Sequence, residues 1–183
     1  FITACRAASG AIDAVSYENG QLLCRVIGGG AARGLCGSGL VDAVAAGLDS
    51  GAITASGRLA ANWPLRDGVM LNPQDVRELQ LAKGAIAAGL GLLTARFGAG
   101  PAAISRLYLA GAFGNGIDPH SAQRIGLLPS CPIVPVGNTA LKGAKMALFG
   151  GLKPFEALAR RVQHVPLAED PGFEDAFAGA MRF

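Results

Sequence analysis

Residues 106–129 read RLYLAGAFGNGIDPHSAQRIGLLP, and the order of apolar run, glycine break and helix start within them decides the fold class. Leu107, Tyr108, Leu109 and Ala110 predict a strand that stops at Gly111 and opens into a loop containing Gly114 and Gly116. Asp118-Pro119 predicts a helix start, because Asp accepts hydrogen bonds from exposed N–H groups and Pro suits the first helical position. Strand, glycine loop and helix start form the layout with which α/β proteins hold phosphates and nucleotides. Small residues let backbone approach a planar ligand, and the helix end supplies unpaired donors and partial positive charge.

The chain has 183 residues, enough for one large domain or two small ones with a real core. Hydrophobic residues make up 51% and charged residues 16%, and the 27 glycines are spread among apolar segments, which argues against disorder. Aromatics are only 6%, so Ala, Leu, Val and Ile must build the core. The net charge of +3 comes from scattered cations. Their one adjacent pair, Arg160-Arg161, reads as a solvated helix face, so no nucleic-acid partner is expected. Cys5, Cys24, Cys36 and Cys131 show no C-x-x-C spacing. That argues against a metal or iron–sulfur site in this chain and for buried free thiols in a reducing, cytoplasmic compartment. The most apolar helical stretch, residues 84–95, is too short for the roughly 20 residues of a membrane span. The chain opens on Phe1-Ile2-Thr3 without a methionine, which reads as a piece of a longer protein.

In chain order, residues 11–17 and 21–27 flank Asn19-Gly20 and predict a hairpin; residues 1–7 are a candidate third strand. The glycine-rich stretch 28–39 feeds a helix over 40–48, with Ser38 as candidate N-cap and Asp42 early enough to favour the helix dipole. No P-loop or dinucleotide-binding glycine motif occurs, and Cys36 only half resembles a nucleophile elbow. Close packing and a ligand-facing role both stay open for Gly37, Ser38 and Gly39. Residues 51–71 are irregular apart from a short strand candidate at 68–71, and Trp63 reads as their packing anchor. Asn72-Pro73-Gln74-Asp75 starts the strongest helix, with Val76, Leu79, Ile86, Leu90, Leu93 and Phe97 as its apolar stripe. Lys83 falls on that stripe, where it must snorkel to an edge or meet an anion. Gly84, Gly89 and Gly91 in the same helix each cost about 1 kcal/mol against Ala, which predicts close approach of another backbone. A strand at 133–136, helices through 149 and over 155–162, an edge strand at 165–167 and a last helix from Asp170-Pro171 to about Met181 complete an α/β order, a mixed sheet flanked by helices.

Four segments together, IGGGAARGLCGSGLVDAV (27–44), NPQDVRELQLAKGAIAAG (72–89), residues 107–129 and VGNTALKGAKMA (136–147), resemble the C-terminal region of the ATP-dependent reductive activators of corrinoid (cobalamin-dependent) methyltransferase systems. Those are multidomain iron–sulfur proteins whose C-terminal part belongs to the superfamily of acetate and sugar kinases, heat-shock proteins and actin. The resemblance implies that residues 1–183 form a single α/β domain, the second lobe of an actin-like or ribonuclease H-like ATPase fold. Adenosine would then be held by Gly111, Ala112, Phe113, Gly114 and Asn115, where Ala112 stands in for a second glycine. Lys83, Gly37, Ser38 and Gly39 are further candidates for the interlobe cleft, resting on the residue-level reasoning above. The Asp-x-Gly phosphate loop and the ferredoxin-like cysteine cluster of the family are absent here. ATP with Mg is thus implied for the full site, and an iron–sulfur cluster only for the missing N-terminal part. No catalytic or metal-ligating residue is assigned. The implied partner is a corrinoid protein or a corrinoid-dependent methyltransferase, with homodimerisation left open. The activity implied is helping to reduce an inactive cob(II)alamin protein to cob(I)alamin. Two alternatives stand beside it: a small-molecule kinase lobe, with Asp42 as the candidate acceptor-binding carboxylate, and a corrinoid-protein docking module without ATPase activity.

Overall fold

A computed structural model of the chain describes residues 5–183, the side chains of Pro101, Ala112 and Phe113 excepted. The third strand expected at 1–7 lies mostly outside these residues; within it, Cys5 to Ala7 form no strand, and the Cys5 N–H bonds the Leu35 carbonyl.

The hairpin forms as expected, β1 (Ala11–Glu18) antiparallel to β2 (Gln21–Val26). Asn19 at φ 51° and Gly20 at φ 81° supply its two left-handed turn positions. The glycine-rich stretch after it contains a two-residue strand, β3 (Gly34–Leu35), which pairs in parallel with Ala11 and Ile12 of β1. Helix α1 (Gly37–Asp49) follows immediately. It begins earlier than expected, with Cys36 at the N-cap and no side-chain cap, so Ser38 is not the cap. Ser38 sits in the first turn and donates instead to the Asp13 carbonyl. Val41 and Val44 of α1 are fully buried against Ile12 and Leu35 in the main core.

Residues 51–71 are more ordered than their sequence implies. Trp63–Arg66 (β4) and Val69–Leu71 (β5) form a second hairpin, turned at Asp67 and Gly68, both with positive φ. Trp63 packs against the core beside Gly47, the anchoring role expected of it.

Helix α2 (Pro73–Arg96) starts where Asn72 and Asp75 form a reciprocal capping box. Its buried face differs from the expected stripe. Val76 and Leu79 are inside, but the face continues through Lys83, Gly84, Ala88 and Gly89, while Ile86 and Phe97 are exposed. The cause is what packs there. Gly84 receives Phe177 and Met181 side chains, and Gly89 receives Leu167, so side chains approach these glycines where a backbone was expected. Gln80 donates to the carbonyls of Ser56 and Met181, and the Phe183 N–H bonds the Ala55 carbonyl. Residues 181–183 are thereby threaded between α2 and the 55–57 turn.

The third sheet is β6 (Leu107–Ala110) parallel to β7 (Ile133–Gly137), joined through α3 (Gly111–Gly116) and α4 (Pro119–Arg124). Asp118 caps α4, accepting from the Ser121 N–H at 2.7 Å. Helices α5 (Thr139–Gly150), α6 (Lys153–Ala159) and α7 (Phe173–Gly179) complete the order, and none contains a buried residue. Residues 165–167 do not form an edge strand: a 3-10 turn at Leu167–Glu169 occupies that place. Asp170 does not cap α7 either; its carboxylate accepts from Gly172 and Arg96. The architecture is α/β, with its strands divided among three small sheets.

Candidate functional site

Parallel pairing of Leu107 with Ile133 through Ala110 with Gly137 ends β6 and β7 at one edge. Ligands of parallel α/β sheets bind outside the carboxyl ends of their strands. At Gly111 the backbone takes φ +93° and turns straight into α3, so the glycine loop expected at 111–115 is a short helix. A Cβ on Gly114 would lie 2.9 Å from the Leu109 side chain, which shows α3 folded back on β6. Gly137 ends β7 at φ +74°, and a Cβ there would lie 4.0 Å from both Asn115 Oδ1 and Lys142 Nζ. Asn138 caps α5 by accepting from the Leu141 N–H, and Lys142 donates to the Val136 carbonyl at 3.0 Å. Gly111, Asn115, Gly137, Asn138 and Lys142 therefore gather at one sheet edge. Gly137, Asn138 and Lys142 are the additions to the sequence-based set. Their signal was available in a second strand ending in glycine ahead of a cap residue.

Of the other candidates, Ser38 is brought to this region and Lys83 is not. A Cβ on Gly116 would stand 3.8 Å from Ser38 Oγ, so the end of α3 meets the first turn of α1. Ser38 is tied to Asp13 and contacts Cys36 Sγ at 3.3 Å, and Gly39 is pressed against the Ile12 carbonyl; Gly37 is exposed. Lys83 is 2% exposed, neither snorkelling nor facing an open cleft. Its Nζ donates to the Arg182 carbonyl and lies 5.3 Å from the centroid of the Phe183 ring. Burial lowers its pKa, as desolvation of an ammonium requires.

A cleft of about 1200 Å³ lies between the β1–β2 hairpin, α1 and the start of α4, lined by residues 13–18 and 22–26, Asp42 and residues 116–121. Asp42 is 5% exposed. Its Oδ2 accepts from the Val15 N–H at 3.3 Å. Burial raises its pKa to about 6, opposed by the Ser121 hydroxyl and Val15 N–H and assisted by the Asp118 charge. Asp42 is thus a buried carboxyl with a raised pKa, held by the Val15 N–H and the Ser121 hydroxyl; because α1 starts at Gly37, it lies beyond the first turn and the helix-dipole role expected of it does not arise.

The glycine-built edge fits close approach of a flat ligand, since Gly111 and Gly137 leave the space that side chains would fill. An iron–sulfur cluster does not fit. Among the described residues no three His, Cys, Asp or Glu side chains gather, and the four cysteines are free, only Cys36 being buried. No helix among the described residues is long and apolar enough to cross a membrane.

The family described as "C-terminal domain of RACo the ASKHA domain" matches residues 3–183. The corrinoid activation enzyme RamQ of Eubacterium limosum is 35% identical over 206 positions, covering 94% of this chain and 35% of RamQ. The [Co(II) methylated amine-specific corrinoid protein] reductase of Methanosarcina barkeri is 32% identical over 117 residues, covering 62% of this chain and 22% of that protein. The solved structure of a reductive activator for corrinoid, iron-sulfur protein superposes with a TM-score of 0.84 at 30% identity, over 97% of this chain and 33% of that one. The chain spans about a third of the length of RamQ and of that activator. It has the mixed α/β architecture of the ASKHA fold, a fold suited to nucleotide binding, and it belongs to the family of RACo C-terminal ASKHA domains.

Proposed function

We propose that this chain is the nucleotide-binding part of an ATP-dependent reductive activator, which helps convert an inactive cob(II)alamin protein to its cob(I)alamin form. The observation that carries this is the meeting of Gly111 and Gly137 at one carboxyl edge in a chain that matches the RACo domain over residues 3–183. Gly111, Ala112, Phe113, Gly114 and Asn115 would border the adenosine, with Lys142 as a nearby cation. ATP when bound supplies the free energy for a conformational change. On this reading the Mg–phosphate contacts and an iron–sulfur cluster would be supplied from outside these 183 residues. The partner is a corrinoid protein or corrinoid-dependent methyltransferase.

Calorimetry tests this. Weak ATP binding without turnover is expected, with at least a tenfold loss of affinity in Gly137→Val, whose side chain would face Asn115 and Lys142. Robust hydrolysis by this chain alone, or no ATP-dependent thermal shift in the parent protein, would overturn the assignment.

Asp42 gives a second reading, a small-molecule kinase lobe, because a carboxyl on the wall of a large cleft can orient an acceptor hydroxyl. A phosphoryl-transfer screen over polyols and carboxylates distinguishes the two.

A further inference from the structure

Helix α5 is turned the opposite way from an ordinary surface helix, which buries its large apolar residues and offers polar ones to water. Its half-buried positions are Gly143 and Ala147, one turn apart on the same face. Its large apolar side chains point outward: Leu141 and Met146 are exposed, Leu148 is 77% exposed and Phe149 85%. The exposed apolar run continues across α6 at Leu152, Leu158 and Val162. A contiguous patch of this kind marks a contact surface.

The same stretch carries the chain's positive charge. Residues 139–164 hold Lys142, Lys145, Lys153, Arg160 and Arg161 against Glu156 alone, a net +4 in a chain whose total is +3. None of the five cations forms an ion pair among the described residues. Lys145 stands among the apolar residues, one turn from Leu141 and one turn from Phe149. That placement selects the occupant. A second copy would bring like charges together. A lipid surface suits a helix with its lysines on the side away from its apolar residues, and here they share a side. A protein surface with carboxylates set among apolar side chains complements both features.

Position narrows it further. Asn138 caps α5 directly after Gly137 ends β7, and Lys142 ties the first turn of α5 to the Val136 carbonyl. The outward face is thus anchored to the β6–β7 edge itself.

We infer that the outer face of α5 and α6 is where the corrinoid protein docks, through an acidic surface with an apolar centre. This rests on the assignment of the chain to a reductive activator and adds a place of contact to it. Leu148 and Phe149 would supply affinity, and Lys145 with the cations of α6 would supply orientation and speed of encounter. A nucleotide at the strand edge and a partner on α5 would share one element, which gives ATP a direct route to the docking face.

The test acetylates the lysines of the parent protein, alone and with the methylated amine-specific corrinoid protein of Methanosarcina barkeri in its Co(II) state, and reads each site by mass spectrometry. Lys145 should react readily in the parent alone and about tenfold more slowly in the complex. Lys145→Glu and Phe149→Ser, both at exposed positions, should each weaken the complex about tenfold and leave ATP affinity unchanged. Added salt should weaken the wild-type complex more than that of Lys145→Glu. Slow acetylation of Lys145 in the parent alone would show the face covered from within and overturn the inference. A complex in which Lys145 stays reactive, or in which both variants bind normally, would also overturn it while leaving the activator assignment standing. So would binding of the 183-residue chain to phosphatidylserine vesicles, or a dimer that Phe149→Ser abolishes, if Lys145 is protected there and not by the corrinoid protein. Failure of any complex to form would overturn the inference and the assignment together.

Discussion

Gly39 of α1 lies against the carbonyl oxygen of Ile12 in β1 so closely that a Cβ could not be placed there without moving backbone. This contact, with the Ser38–Asp13 hydrogen bond one residue earlier, sets the distance between helix and strand at the centre of the main core.

Gly39→Ala should therefore destabilise the chain by about 2 kcal/mol, overpacking exceeding the helix-propensity gain of Ala. Gly91→Ala is the counterpart. It lies inside α2 with nothing within 4 Å of its Cβ position, and should stabilise by about 0.5–1 kcal/mol. Urea midpoints of the two variants should move in opposite directions.

Asp42 predicts a pH dependence. Its folded-state pKa of about 6 lies above the ordinary 3.8, so the native chain binds this proton more tightly than the unfolded one. Stability should fall as pH rises from about 4 to about 6, then level off. Asp42→Asn keeps an acceptor for Val15 and removes the titration. Relative to wild type it should gain on the order of 1 kcal/mol across that window, less than the full linkage because the cleft admits water. Paired thermal melts at pH 4 and pH 7 measure it.

Lys83 is expected to behave asymmetrically. Lys83→Ala leaves a cavity and an unsatisfied Arg182 carbonyl and should cost about 2–4 kcal/mol. Lys83→Met leaves the same carbonyl unpaired but keeps the volume and removes a buried cation, and should cost about 1–2 kcal/mol, less than Ala. Chemical denaturation of both at pH 7 separates these outcomes.

Gly111→Ala should be strained by its φ of +93°, losing about 1–2 kcal/mol. Asn115→Ala, an exposed position, should leave stability within about 0.5 kcal/mol of wild type. Reduced ATP affinity in Asn115→Ala at unchanged thermal midpoint would separate binding from folding at this edge.

Elements announced by local chemistry were legible in the sequence. The Asn72–Asp75 capping box, the Asn19-Gly20 turn and the Asp118-Pro119 helix start each rest on residues within four positions of one another. The strand β4 was hidden because Pro64 interrupts its pattern. The face of α2 was misjudged beyond Leu79 because its neighbours are Phe177, Met181 and Arg182, and helical period carries no information about partners so distant. Asp42 could be placed on a helix but not beside Val15 and Ser121, since that depends on how α1 crosses β1 and meets α4. At the candidate edge, Gly111 and Gly114 were visible as breaks in a pattern. Gly137 joined them only through the parallel register of β6 and β7.

The threading of residues 181–183 past Gln80 and Lys83 also bears on biosynthesis. Gln80 finds one of its two acceptors 101 positions later in the chain, and Lys83 finds its acceptor 99 positions later. At roughly 5–20 residues per second, a ribosome needs about 5 s or more to make that stretch. Until then the nascent α2 carries a lysine and a glutamine on the face it must bury, so the helix should stay undocked, and open to a holding chaperone, while the two sheets nearest it have already been translated.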